Sequence, residues 1–105
     1  MNIEFYTPES QVKEWVINYI KEQLMELHNR NKKISRAEVY FRDQNVVKIC
    51  EVELSIYGNS ISVQRSADKY ENAAREVVKE LTAKMEEQAK MRNEPPDEIT
   101  STIKV

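Results

Sequence analysis

Few side chains in this sequence are of the kinds that do covalent or acid–base chemistry near neutral pH. There is one histidine, His28, and one cysteine, Cys50. His28 falls among polar neighbours with no acid or nucleophile at a matching spacing, so it reads as a surface histidine and not as a general base or metal ligand. Cys50 alternates with Val52 and Leu54, which makes it a small core residue of a strand. Glu51 and Glu53 fall on the opposite face of that strand, where paired carboxylates are simply solvated. No Cys/His set has the spacing of a zinc site, and a chain with one glycine has no Gly-rich loop to cradle a phosphate. The expectation is a protein that is not an enzyme, with no catalytic residue, metal, cofactor or small-molecule substrate.

The other chemistry that residue type and spacing can supply is attraction for a polyanion. Arg30, Lys32 and Lys33 gather within four residues. Arg75 and Lys79 stand four apart and share a helix face. Lys84 follows, turned partly toward the sheet, and Lys90 and Arg92 come near the end of the same helical stretch. These eight cations are the candidate RNA-binding residues, because phosphate contacts need cations on a surface that can lie along a nucleic-acid backbone. The plain alternative is a salt-bridged solvent face, since Glu71, Glu76, Glu80, Glu86 and Glu87 alternate with them. Net charge does not favour RNA. Sixteen Lys+Arg against eighteen Asp+Glu give −2. Glu94, Asp97, Glu98 and Lys104 lie in the last thirteen residues, so residues 1–92 hold fifteen charges of each sign. Affinity for RNA must therefore come from the placement of cations and not from their number.

The elements that would position these residues are legible from periodicity. Residues 2–6 form a short strand with Ile3 and Phe5 on one side. Thr7-Pro8-Glu9-Ser10 ends it, with Ser10 as the N-cap of a helix from Gln11 to about Asn29. Val12, Trp15, Val16, Tyr19, Ile20, Leu24 and Leu27 make its apolar stripe. Three period-two runs follow. Ala37, Val39 and Phe41 point inward from 34–42, Cys50, Val52, Leu54 and Ile56 from 48–57, and Ile61 and Val63 from 60–65. A turn at Gly58-Asn59 joins the last two, and together they read as an antiparallel meander with one wet face. Ser66 is expected to cap a second helix, Asp68 to add negative charge to its first turn, and Tyr70, Ala74, Val77, Val78, Leu81 and Met85 to form its apolar stripe. Glu94-Pro95-Pro96 stops that helix near Arg92.

The order is β-α-β-β-β-α, an α+β fold in which a four-stranded sheet carries two helices packed on one face. A chain of 105 residues has room for one domain, expected over residues 1–92, followed by a flexible tail over 93–105. The lone cysteine, the absence of an apolar leader at the N-terminus and the lack of any long apolar run lead us to expect a cytoplasmic protein with no membrane partner.

The segment ISVQRSADKYENAAREVVKELTAKM resembles the hallmark of the ribosome hibernation-promoting factor family, also called ribosome-associated inhibitor or sigma-54 modulation proteins. In that family a last strand runs into Asp-x-Tyr-x-x-(Ala/Ile) and then a helix of alternating apolar and basic residues. Asp68, Tyr70, Ala73 or Ala74, Val77, Lys79 and Leu81 stand at the matching positions. The stretch WVINYIKEQLMELHNR is similar to the family's aromatic-led first helix ending in Leu-x-x-Leu, here Leu24 and Leu27. The resemblance covers residues 1 to about 92. It implies a bacterial, cytoplasmic, stress-response factor whose partner is the small ribosomal subunit. Such a factor binds rRNA through basic residues of both helices and occupies the tRNA and mRNA channel without chemistry. The length resembles the short form, without the dimerising C-terminal domain of long members. Glu22, Gln23 and Glu26 stand where the family's first helix usually has lysines, and Thr82 and Glu86 where its second helix is commonly basic. Asp68 and Tyr70 fit helix start and core packing better than RNA contact. A protein-interaction module on the same scaffold, using Tyr40, Tyr57 or the ends of the sheet, is the competing reading. The oligomeric state is open.

Overall fold

A computed structural model of the chain describes residues 1–8 and 12–93, the last five of these as backbone. Its elements are β1 (Asn2–Tyr6), α1 (Glu14–Arg30), β2 (Ile34–Gln44), β3 (Val47–Ile56), β4 (Asn59–Ala67) and α2 (Tyr70–Asn93). This is the expected β-α-β-β-β-α order, and the strands form one mixed sheet in the order β1-β2-β3-β4. β1 pairs parallel with β2, and the other two pairings are antiparallel. Connection length decides this. A helix between β1 and β2 can carry the chain back for a parallel pairing, whereas two-residue links allow only hairpins.

The period-two pattern buries one face. Ala37, Val39 and Phe41 of β2, Cys50, Val52, Leu54 and Ile56 of β3, and Ile61 and Val63 of β4 enter a single core. Val16, Ile20, Leu24 and Leu27 of α1 and Tyr70, Ala73, Ala74, Val77, Val78, Leu81 and Met85 of α2 close it from above. Both helices therefore cover the same sheet face. Phe41 meets Tyr70 edge to face at 5.6 Å, which locks the start of α2 onto the sheet. Because α1 leads from β1 back to a parallel β2, it runs opposite to both. α2 runs opposite to β4, which shares that direction, so the two helices point the same way.

Local details differ from the sequence reading. α1 begins at Glu14, three residues later than expected, with Lys13 as an N-cap that makes no side-chain capping bond. Ser10, expected as the cap, lies outside the described residues. Val12 packs against the core from non-helical backbone, a case that apolar spacing cannot tell from a helical position. Trp15 is not part of the buried stripe and keeps 46% of its surface exposed. The turn between β3 and β4 is Tyr57-Gly58, one residue earlier than expected, with Asn59 already paired to Ile56. Gly58 has φ 75°, a value that favours glycine at the second central residue of the link. Ser66 is not a cap, because β4 continues through it to Ala67. Asp68 stands just ahead of α2 and accepts a 3.0 Å hydrogen bond from the Asn72 side-chain amide, which holds its carboxyl below the ordinary value. The expected tail overlaps α2, which ends at Asn93, and residues 94–105 lie outside the described residues.

Candidate nucleic-acid interface

The start of α1 lies beside the start of α2. Lys13 Nζ is 3.5 Å from Glu71 Oε2, and the Arg75 guanidinium sits 5.6 Å from the centre of the Trp15 ring. Glu71 is held below its ordinary pKa by its own backbone N–H first and by Lys13 next. Arg75 and Lys79 are both exposed on α2, as their spacing requires. Here the fold brings together a tryptophan and three cations from two helices.

The other candidate cations lie at the far end of α1. Arg30 is exposed in its last turn, where positive charge complements the helix dipole. His28 is half-buried, with Nδ1 3.0 Å from the Ile34 carbonyl oxygen, so the Nδ1–H tautomer ties the helix end to β2. Its role is therefore structural, and it is not a loose surface histidine. Lys32 Nζ donates to Asn29 Oδ1 at 3.3 Å. The Lys33 carbonyl accepts the Tyr57 backbone N–H at 3.1 Å, which sets this basic connection against the β3–β4 turn. Fifteen residues of helix separate Trp15 from Arg30, about 22 Å. The cations thus form two groups and not one uninterrupted strip, with exposed Glu22 and Glu26 on the α1 surface between them. Lys84 is exposed, not turned partly toward the sheet as expected, and lies apart around a shallow depression it shares with Glu80, Ala83, Glu86 and Glu87. The side chains of Lys90 and Arg92 are outside the described residues.

Among the described residues, none of Arg30, Lys32, Lys33, Arg75, Lys79 and Lys84 is in an ion pair within 4 Å. Two of the α2 glutamates nearest to them pair elsewhere. Glu71 meets Lys13, and Glu80 meets Arg65 of β4 at 3.1 Å. Lys13 and Trp15, absent from the sequence-based list, stand beside these α2 residues because the helices pair at their starts.

The opposite sheet face is organised differently. Register sets Glu4, Glu38 and Glu53 side by side across β1, β2 and β3. Arg36 bridges two of them, at 3.1 Å from Glu4 and 2.9 Å from Glu38. Arg42 meets Glu51 at 2.8 Å and lies 5.3 Å from the Tyr40 ring centre. Tyr6 stacks on Tyr40 at 4.9 Å and donates its hydroxyl to Glu4 at 2.7 Å. That bond lowers the Glu4 pKa and raises that of Tyr6. Tyr40, weighed above as a docking residue, is thus engaged on both sides, whereas Tyr57 is 84% exposed at its turn.

Cys50 is fully buried, and desolvation pushes its thiol up to about 12, so it stays protonated at neutral pH. No three His, Cys, Asp or Glu residues among those described are placed to hold a metal ion. No described helix is long and apolar enough to cross a membrane.

No family model and no curated protein matches the chain in sequence. Solved structures match it in fold. A ribosomal subunit interface protein from Coxiella burnetii superposes with a TM-score of 0.75 at 15% identity, covering 85% of this chain and 98% of its own. The N-terminal domain of Protein Y from Thermus thermophilus superposes with a TM-score of 0.72 at 16% identity, covering 84% and 99%. Both belong to the family that the sequence resembles, so the fold implied by that resemblance is the fold of this chain.

Proposed function

We propose that this protein is a ribosome-associated factor that binds small-subunit rRNA and inactivates or protects idle ribosomes by occupying the tRNA and mRNA channel. The supporting observation is the contrast in pairing. The described helix-side candidates have no ion-pair partner, while arginines of the opposite face are matched to carboxylates. A cation held by a carboxylate must give up that partner to meet a phosphate, and an unpaired one need not. The likeness in fold to a ribosomal subunit interface protein points the same way. Arg30, Lys32, Lys33, Arg75, Lys79 and Lys84 are the proposed phosphate contacts, with Lys90 and Arg92 extending them along α2. The mechanism is exclusion by volume, with no bond made or broken.

The test is sedimentation of lysate from starved cells through sucrose at two salt concentrations. The expected result is cofractionation with the small subunit that fades as salt rises, and its loss when Arg75→Glu and Lys79→Glu are combined. Ribosome association that survives this double reversal in a folded protein would remove these residues from the interface. The exposed Tyr57 favours a second reading, a protein-interaction module with weak or no RNA binding. Under that reading Tyr57→Ala, and not the charge reversal, releases the partner.

A further inference from the structure

Trp15 is the only tryptophan in the chain, and it is exposed although its neighbours at 16 and 20 are fully buried. It sits on the flank of α1 facing α2, with the Arg75 guanidinium over its ring at 5.6 Å. Lys13 lies two residues before it, Lys79 one turn beyond Arg75, and the half-buried Tyr19 one turn along the same flank. Arg75 is itself exposed, so its planar group can hold one face to the indole and offer the other to solvent.

Among the described residues, no other exposed large apolar side chain has a cation over its ring. Val46 and Tyr57 are at hairpin tips, and Tyr6 is fixed in the stack with Tyr40. An exposed indole with a planar cation over its ring at 5.6 Å, and Lys79 one turn further along α2, matches the two halves of a nucleotide. The base stacks, and the phosphate meets the ammonium group. From this juxtaposition we infer that Trp15 and Arg75 form a stacking site for one unpaired RNA base, with the ion-pair-free Lys79 beside its phosphate. The inference rests on the RNA-binding reading above and adds a base contact to what was a purely ionic surface. Duplex RNA keeps its bases stacked internally and cannot use the site.

The experiment uses the full chain and a fluorescein-labelled ten-nucleotide single-stranded RNA, with a duplex of the same length and inorganic tripolyphosphate as controls. The single-stranded RNA should quench Trp15 fluorescence, and the two controls should not. Trp15→Leu, made at a half-exposed position outside the core, should weaken single-strand binding by about 5- to 100-fold. It should leave the slope of log affinity against log salt unchanged, because stacking releases no counterions. Arg75→Lys keeps the charge and loses the plane, so it should weaken binding with the slope again unchanged. Lys79→Gln should lower the slope by about one. Melting followed by circular dichroism verifies that each variant is folded.

Wild-type affinity in Trp15→Leu, or a loss that comes with a reduced salt slope, would overturn the stacking site while leaving ionic RNA binding intact. Loss of ribosome cofractionation with unchanged oligonucleotide binding would also overturn it, and would make Trp15 a contact for a protein. A wild-type chain that binds neither RNA nor ribosomes would overturn the stacking site and the RNA reading together.

Discussion

The two polar surfaces of this protein use the same residue types to opposite ends. On the outer sheet face, cross-strand register forces Glu4 beside Glu38 and Glu38 beside Glu53, an arrangement of like charges that destabilises a sheet unless relieved. Arg36 relieves it at Glu4 and Glu38, and Arg42 with Glu51 and the Tyr6–Tyr40 stack extend the network across the face. On the helix side, the glutamates that alternate with cations along α2 do not neutralise them. Glu71 turns to α1 and Glu80 to β4, which leaves Arg75 and Lys79 available. Residue types alone treat these surfaces alike. Their pairing does not. A surface that satisfies itself contributes to folding, and one left unsatisfied is poised for a partner.

This contrast can be broken in several ways. Both surfaces hang on one core, so Leu54→Ala, at a fully buried position in the central strand β3, should cost about 2–5 kcal/mol in denaturant unfolding. RNA affinity and outer-face order should fall together in that variant. If stability drops by less than the cost of a surface change, the two faces are not built on a shared core.

A matched pair of double neutralisations is next in size. Arg75→Gln with Lys79→Gln should lower RNA affinity about 100-fold at 0.1 M salt, near ten-fold per lost phosphate contact, and reduce the salt slope by about two. Arg36→Gln with Arg42→Gln changes the net charge equally but should lower the melting temperature instead, with little effect on RNA binding. Equal losses of RNA affinity would show that only net charge matters and that placement does not.

Tyr40→Ala removes the stacking partner of Tyr6 and the ring beneath Arg42. It should lower the melting temperature by a few degrees and leave ribosome cofractionation unchanged. Loss of cofractionation in that variant would move the interface to the sheet.

The smallest effect concerns pH. Glu4, Asp68 and Glu71 all have folded pKa values below their ordinary ones. The stabilisation they give is therefore complete above the ordinary carboxylate range and disappears as pH falls through the lowered folded values. Melting temperature should be flat near neutral pH and decline below about pH 4.5. Glu4→Gln should flatten part of that decline, by a small amount because the group is exposed. An unchanged acid limb in Glu4→Gln would mean that neither the Tyr6 hydroxyl nor Arg36 stabilises the Glu4 carboxylate measurably.

Element order and most inward strand residues were legible in the sequence, because a period of two or near 3.6 reports which side chains leave water. Ile34 was not, since an irregularity in the β2–β3 register between Ile34 and Arg36 turns it into the core. His28, Trp15 and Ser66 were read less well. His28 is tied to a carbonyl six residues away, Trp15 lies outside the buried stripe beside a cation sixty residues on, and Ser66 is held in β4 by its pairing with Ile49. Each outcome depends on a neighbour that local periodicity does not describe. The same holds for the candidate interface. That Arg75 and Lys79 share a helix face follows from spacing, but that they stand beside Trp15 and Lys13, and apart from Arg30, Lys32 and Lys33, does not.

By itself, the sequence determined the alternation of apolar and polar positions, and with it the strands, the helices and the single core, since burial follows from patterning along the chain. The tertiary structure alone decided which charges cancel. Ion pairs form across strands and between helices, at distances of a few ångströms that join residues far apart in sequence. A chain of net charge −2 can therefore keep cations unpaired on one side while the arginines of its other side are held by carboxylates.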